Sequence, residues 1–218
     1  ASRFCRRRAC RCRQRCTCWW PAKAFLQHRG KSLLEHAVEF LSTVAGRIVV
    51  GLPTGQVDEG QALLGGLNAH CIAGGASKQE TVALLLDQVS EPLIIVHDVS
   101  EFMADPDLLA RLLALIGEDD AVVPVERLRV RGSLATIDAD GWMESRVDRE
   151  RLVSSYCPQV YRREALVQAF IQAQRDGWHE TGIYALVHRA GGKVCLVEDG
   201  GEHLKLTYPE DLAVLENT

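Results

Sequence analysis

No apolar run in this 218-residue chain approaches the roughly 20 residues of a membrane-spanning helix, which argues against a membrane protein. The first 20 residues contain no acidic side chain, and they also lack the apolar middle of a secretory signal. Beyond residue 20 there are only three cysteines, Cys71, Cys157 and Cys195. They are odd in number and far apart, as expected of reduced thiols in a cytoplasmic protein rather than of a disulfide framework. His28, His36, His70, His179, His188 and His203 show no metal-ligand spacing, and there is no internal repeat.

What is present divides at residue 21. Residues 1–20 hold seven of the arginines, five of the eight cysteines and two of the four tryptophans, with neither helical nor strand periodicity. This head carries +7, leaving 18 basic against 29 acidic residues in the remainder, a net of −11. An acidic body argues against general nucleic-acid binding, which needs basic surface to displace counterions. Residues 21–218 are therefore expected to form one domain that carries the function, about 200 residues being enough for a proper core.

Strands and helices alternate along that domain. Ser32-Leu33-Leu34-Glu35 is a capping box, followed by an apolar stripe at Leu33, Leu34, Ala37, Val38 and Leu41. Ile48–Leu52 reads as a buried strand and Cys71–Ala73 as a second, with a Gly-rich stretch between them. A helix over 79–89 leads to a third strand, Leu93–Val96, that delivers His97 and Asp98 at its carboxyl end. Asp105-Pro106 caps a Leu-rich helix to about residue 116, and Ala121–Val125 is another strand. Ser133–Ile137 and Trp142–Val147 form a hairpin through Asp140-Gly141. Helices near 162–175 and 181–190, a strand at 193–197, an edge strand near 204–207 and a helix opened by Pro209 complete the chain. Such alternation predicts an α/β fold, a doubly wound, mostly parallel sheet covered on both faces, with ligands at the carboxyl ends of its strands.

Asp98 falls at that edge, where a carboxylate either holds Mg²⁺ against a phosphate or simply caps a loop. Gly74-Gly75-Ala76-Ser77-Lys78 is a turn before a helix whose free amides and lysine could approach an anion; most such turns are only turns. Lys23, Arg149 and Lys205 are cations in unrelated segments, ordinarily just solvated. Cys157-Pro158 reads as a packed thiol beside a rigid turn, with no Cys–His arrangement for a nucleophile.

The order of these segments narrows the choice. Ala22-Lys23-Ala24-Phe25-Leu26 and then Leu33-Leu34-Glu35-His36 resemble the P-K-x-[YF]-L … L-L-E-H segment of the 2-C-methyl-D-erythritol 4-phosphate cytidylyltransferases. The resemblance continues through Gly74-Gly75, Thr81-Val82, Val96-His97-Asp98, Pro124-Val125, Val147-Asp148-Arg149, Pro158-Gln159, Thr181, Val197-Glu198, Lys205-Leu206-Thr207 and Pro209–Leu212. It implies a Rossmann-like nucleotidyltransferase fold that transfers CMP from CTP to methylerythritol phosphate and releases pyrophosphate. It further implies Lys23 on the nucleotide phosphates, Asp98 on Mg²⁺ or another divalent cation, and Arg149 and Lys205 on the acceptor phosphate. Thr181, Val99 and Cys157 would belong to the substrate site, and Gly75 and Thr81 to the cytosine and ribose subsite. A homodimer is implied, with residues 126–147 as the arm that reaches the neighbouring site. A cytidylyltransferase for another polyol phosphate, such as ribitol phosphate, and a non-catalytic member of the fold are the alternatives.

This chain departs from the family pattern in several places. After Asp98 it has Ser100-Glu101-Phe102 where the family usually has Ala-Arg-Pro, so an acid replaces a substrate-side cation. Leu128 and Cys157 fall near threonine positions, and Gly182-Ile183 replaces an acidic pair. The opening strand and A-G-x-G-x-R phosphate loop are replaced by the Arg/Cys head, with Thr17 at the position of the loop arginine. The head can be read as a Cys-x-Cys metal site, as a basic nucleic-acid arm, or as a product of the wrong reading frame. The genetic code favours the last. Residues 10–21 written with GC-rich codons and read one base later give A-G-A-G-S-G-A-R-A-G-G-P, which contains the missing loop at the family's distance from Lys23. Phosphates must approach such a loop's backbone closely, so glycine belongs there and Arg, Cys and Trp do not.

Overall fold

The computed structural model describes residues 23–101, 105–200, 203, 205–207, 211 and 213. The head, Thr17 within it and most of the segment after Pro209 lie outside the described residues. A 3-10 turn at Lys23–Phe25 and a small antiparallel pair, β1 (Gln27–His28) and β2 (Lys31–Ser32), lead into α1 (Leu33–Ser42). The capping box forms as expected: the Ser32 hydroxyl accepts the Glu35 amide at 3.2 Å, and Glu35 accepts the Ser32 amide at 2.7 Å. Leu33, Leu34, Ala37 and Val38 are the buried stripe.

β3 (Ile48–Leu52) pairs in parallel with β4 (Ala69–Ala73). Between them lies α2 (Val57–Leu63), which sequence reading leaves as a Gly-rich connection. Gly60 is buried within it, and a Cβ there would strike Leu52. The glycine thus allows close helix–strand packing and does not mark a turn. α3 (Lys78–Leu86), β5 (Leu93–Val96), α4 (Pro106–Leu115) and β6 (Ala121–Arg127) follow. As expected, Asp105 caps α4, accepting the Asp107 amide at 2.9 Å, with Pro106 in the first turn. β7 (Leu134–Ile137) and β8 (Met143–Val147) form the antiparallel arm, turning where Gly141 adopts φ +90°. β9 (Val153–Ser155), β10 (Gln159–Arg162), α5 (Arg163–Asp176), α6 (Ile183–Arg189) and β11 (Val194–Glu198) complete the described elements.

The second sheet runs β11-β6-β10-β5, with β9 also on β6. β11 and β6 are parallel, and β10 is antiparallel to both neighbours. Successive residues on β6 and β10 serve opposite faces. Ala121 and Tyr161 join the core beneath α5 and α6, while Val122 and Val160 join the core beneath α4. Both faces are therefore covered, as the doubly wound, nucleotidyltransferase-like α/β reading requires.

Three expectations need correction. Lys205–Thr207 is not a strand, because its backbone turns inward through the Leu206 amide to the Ser100 carbonyl at 3.0 Å. The arm hairpin itself covers 134–147, since Glu126 and Arg127 remain in β6 and pair with β9. β9 and β10, four residues or fewer, were not anticipated.

β3 and β5 are not bonded to each other. A cavity of about 640 Å³ separates them, lined by Ile48–Leu52 on one side and Leu93–Val96 on the other. Lys78, His97 and Asp98 also line it, which joins the cavity to the site described next.

Candidate functional site

Four separate segments meet beyond the carboxyl end of β5. Asp98 follows that strand, and its Oδ1 accepts the Ser100 amide at 3.1 Å and the Ser100 hydroxyl at 2.7 Å. Its Oδ2 takes Lys205 at 3.2 Å and lies 3.7 Å from Lys78, the first residue of α3. Burial pushes the Asp98 carboxyl up, but Lys205, Lys78 and the two Ser100 hydrogen bonds outweigh it and hold the group far below the usual carboxylate range. Asp98 therefore stays ionised. Lys205 shows the mirror effect: burial lowers its pKa, while Asp98 and Glu101 together raise it well above the ordinary lysine value.

Lys23 reaches the same place from the other end of the chain, donating to the Leu206 carbonyl at 2.6 Å across 183 positions. Burial lowers its pKa, partly offset by Asp98. The site thus gathers three lysines around ionised Asp98.

The turn before α3 behaves differently from expectation. The Gly75 amide donates to Thr81 Oγ1 at 3.0 Å and the Ala76 amide to Glu80 at 2.8 Å. These amides are already engaged, so the anion-facing element here is Lys78 rather than the backbone. Thr81 holds the loop, and its hydroxyl also donates to the Ser77 carbonyl at 2.9 Å. Exposed Gly75 leaves the loop surface open, and Val99 packs against both Leu33 and Leu206 on one side and the α1/β3 core on the other.

Cys157 is buried and its thiol is pushed up to about 12 by burial, with Glu101 adding to the rise. It is inert as a nucleophile. Its amide instead donates to Glu101. Glu101 is the residue whose role sequence reading missed. It is 5% exposed, and its other oxygen accepts Lys205 at 3.0 Å. The acid was visible only as a departure from pattern; nothing local signals a partner 104 positions away.

Arg149 and Thr181 do not join this cluster. Arg149 is exposed at the foot of the arm, 3.3 Å from Glu150 and 3.5 Å from the Val130 carbonyl. Thr181 is exposed immediately before α6. Within one chain neither is bonded to Asp98 or Lys205.

Asp98 could hold a cation only together with ligands from outside the cluster. Among the described residues no group of three or more His, Cys, Asp or Glu could hold a metal. A single strand-end carboxylate flanked by lysines matches Mg²⁺, which typically takes one or two carboxylates plus substrate phosphates and water.

His97 lies just behind, 5.3 Å from the Phe40 ring, with both ring nitrogens buried and unbonded among the described residues. Burial lowers its pKa to about 4, with Lys78 and Lys205 adding to the effect and Asp98 opposing it. Between pH 6.5 and about 4 the unfolded chain binds a proton here that the folded one does not. Stability from this ring is therefore full above pH 6.5 and falls as pH drops through that window. Denaturant titration at pH 7 and pH 5 should show a loss of about 2 kcal/mol attributable to this ring, and His97→Phe should flatten the difference. An identical pH slope in the variant would refute the assignment.

Known proteins resemble this chain over most of its length. The sequence pattern of the 2-C-methyl-D-erythritol 4-phosphate cytidylyltransferases matches residues 15–218. A protein of that name from Deinococcus radiodurans is 33% identical over 195 residues, covering 89% of this chain and 80% of the relative. One from Thermus thermophilus is 34% identical over 194 residues, covering 89% and 87%. A crystal structure of the enzyme from Thermus thermophilus superposes with a TM-score of 0.75 at 33% identity, over 89% of this chain and 92% of that one. A 4-diphosphocytidyl-2C-methyl-D-erythritol synthase from Anaerococcus prevotii shares the fold with a TM-score of 0.78 at 16% identity, over 88% and 87% of the two chains.

Proposed function

This chain belongs to the 2-C-methyl-D-erythritol 4-phosphate cytidylyltransferase family, and from that premise we propose how its own residues carry the reaction. The enzyme transfers CMP from CTP to 2-C-methyl-D-erythritol 4-phosphate, releasing pyrophosphate, a step of isoprenoid precursor synthesis. An acceptor phosphate oxygen attacks the α-phosphorus in line as the bond to pyrophosphate breaks, so the protein chiefly positions reactants and offsets charge. The observation that carries the reading is the convergence of Lys23, Lys78 and Lys205 around ionised Asp98.

Lys23, part-buried and tethered to the Leu206 carbonyl, suits the charge that builds on the α-phosphoryl oxygens. Lys78 opens α3 beside the same carboxylate and suits the outer phosphates. Asp98 would hold Mg²⁺, which when bound neutralises phosphate charge as a Lewis acid. Lys205 would take the acceptor phosphate. No helix among the described residues is long and apolar enough to cross a membrane, and we place the enzyme in the cytoplasm with its nucleotide.

Arg149 is assigned to the acceptor phosphate of a neighbouring subunit in a homodimer. Two features support this. Arg149 projects from the foot of the arm into solvent, and the arm exposes Ile137, Trp142 and Met143 at 67%, 74% and 67%. Exposed apolar side chains clustered on a protruding hairpin suit an interface. Alanine at Arg149 or Lys205 should raise the acceptor KM by about 10- to 100-fold, because a charge-assisted phosphate contact contributes roughly 1.5–3 kcal/mol. The CTP KM should move far less. Turnover of CTP against a panel of polyol phosphates, read as pyrophosphate release, tests the activity and the acceptor together. A dimer-breaking arm variant that leaves acceptor use intact would remove Arg149 from the site.

A further inference from the structure

We propose that Glu101 is a positioning residue that sets where Lys205 meets the acceptor phosphate; this deepens the reading above and rests on it. Glu101 is the buried anion of a site built to receive polyanions, a placement that needs a physical reason. Each of its oxygens has one. Oε1 accepts the Lys205 ammonium at 3.0 Å, and Oε2 accepts the Cys157 amide. The second bond anchors the carboxylate to the turn that precedes β10, so Glu101 is a fixed post and Lys205 is what it holds.

The backbone supports the same connection. The Leu206 amide bonds the Ser100 carbonyl at 3.0 Å, and the Glu101 amide bonds the Asp98 carbonyl at 2.9 Å. The Lys205 strip and the Asp98–Glu101 turn are therefore one unit. Lys205 stands between two carboxylates, 3.2 Å from Asp98 and 3.0 Å from Glu101, with its side chain still 46% exposed. A free ammonium on a four-carbon stem has rotamer freedom to lose; one already held by a fixed carboxylate has lost part of it before substrate arrives.

Asp98 alone could not do this. If Asp98 were to hold a divalent cation, Lys205 would lose that carboxylate as a partner. Glu101, bonded to Lys205 at 3.0 Å and anchored to the Cys157 amide, would still hold the ammonium. Asp98 would then be free for the metal. The exposed face of the ammonium remains for the phosphate.

The chain contains five lysines, so their ¹³Cε signals can be followed one by one in the full-length protein. The Lys205 signal should be that of a side chain held in one place. Glu101→Gln should let this side chain move and change its signal, and adding diamagnetic Mg²⁺ to wild type should leave the Lys205 signal that of a held side chain. Kinetically, Glu101→Gln should raise the KM for the polyol phosphate about tenfold, with the CTP KM changed less than about twofold. A thermal melt of the same variant separates unfolding from loss of position. An unchanged Lys205 signal in Glu101→Gln, equal losses for both substrates, or a lower acceptor KM through a freed Lys205 would each overturn the proposal. If wild type shows no transfer to any polyol phosphate, the functional reading fails, while the lysine spectra still decide whether Glu101 positions Lys205.

Discussion

Replacing Asp98 by Asn is expected to reduce turnover at least about 1,000-fold, equivalent to about 4 kcal/mol of transition-state stabilisation, while leaving the fold intact. The amide can keep what is local. Its oxygen can still accept the Ser100 amide and hydroxyl, which now bond Oδ1 at 3.1 and 2.7 Å. What it loses is charge, and with it the means to hold a divalent cation among three lysines. Lys205 retains Glu101 as its second anion, so the cluster should not fly apart. Chelation should inactivate wild type to a similar level and cost the variant little more. Undiminished, Mg²⁺-dependent activity in Asp98→Asn would reduce Asp98 to a cap on the turn that bonds the Glu101 amide.

The second large effect concerns the segment before Lys23. The chain as it stands should bind CTP poorly, because the Arg/Cys sequence offers neither a glycine backbone cradle nor a loop arginine, whose loss removes several kcal/mol. Restoring the alternative frame upstream of Lys23 should strengthen nucleotide binding by at least about 100-fold, some 3 kcal/mol. The cavity between β3 and β5 says what else the restored sequence would meet. Its walls, Ile48–Leu52 and Leu93–Val96, are two strands not bonded to each other, with a gap of about 640 Å³ between them. One further apolar strand is the natural filling for such a gap. With Cys5 encoded as TGC, Arg6, Arg7 and Arg8 as CGT and Ala9 as GCC, Cys5–Ala9 read one base later becomes Ala-Val-Val-Val-Pro, an apolar β-branched run leading directly into the glycines. Restoration should therefore also raise the melting temperature. DNA sequence across codons 1–22 and the intact mass of the native product are the direct measurements. A native protein that carries the Arg/Cys head and still turns over CTP would refute the frame assignment.

Sequence by itself determined the features whose causes are local. The Ser32–Glu35 box and the Asp105-Pro106 cap depend on residues three or fewer apart, and both formed. Alternating strands and helices dictated a covered α/β sheet, and that alternation put Asp98 at a strand end, where ligands of such sheets bind. Family order added Lys23 and Lys205, and the structure gathers all three. Tertiary structure decided the rest. Four-residue β10 carries too little pattern to be read as a strand, yet it joins β5 to β6 because Val160 and Tyr161 fill opposite cores. Within the Gly-rich stretch between two strands, Gly60 proved to be a close contact of a helix with Leu52. The amides of Gly75 and Ala76 looked free until the side chains of Thr81 and Glu80 folded back upon them. Glu101 and Lys205 lie 104 positions apart. Their pairing is a matter of charge and burial in three dimensions, and such forces leave no periodicity in the chain.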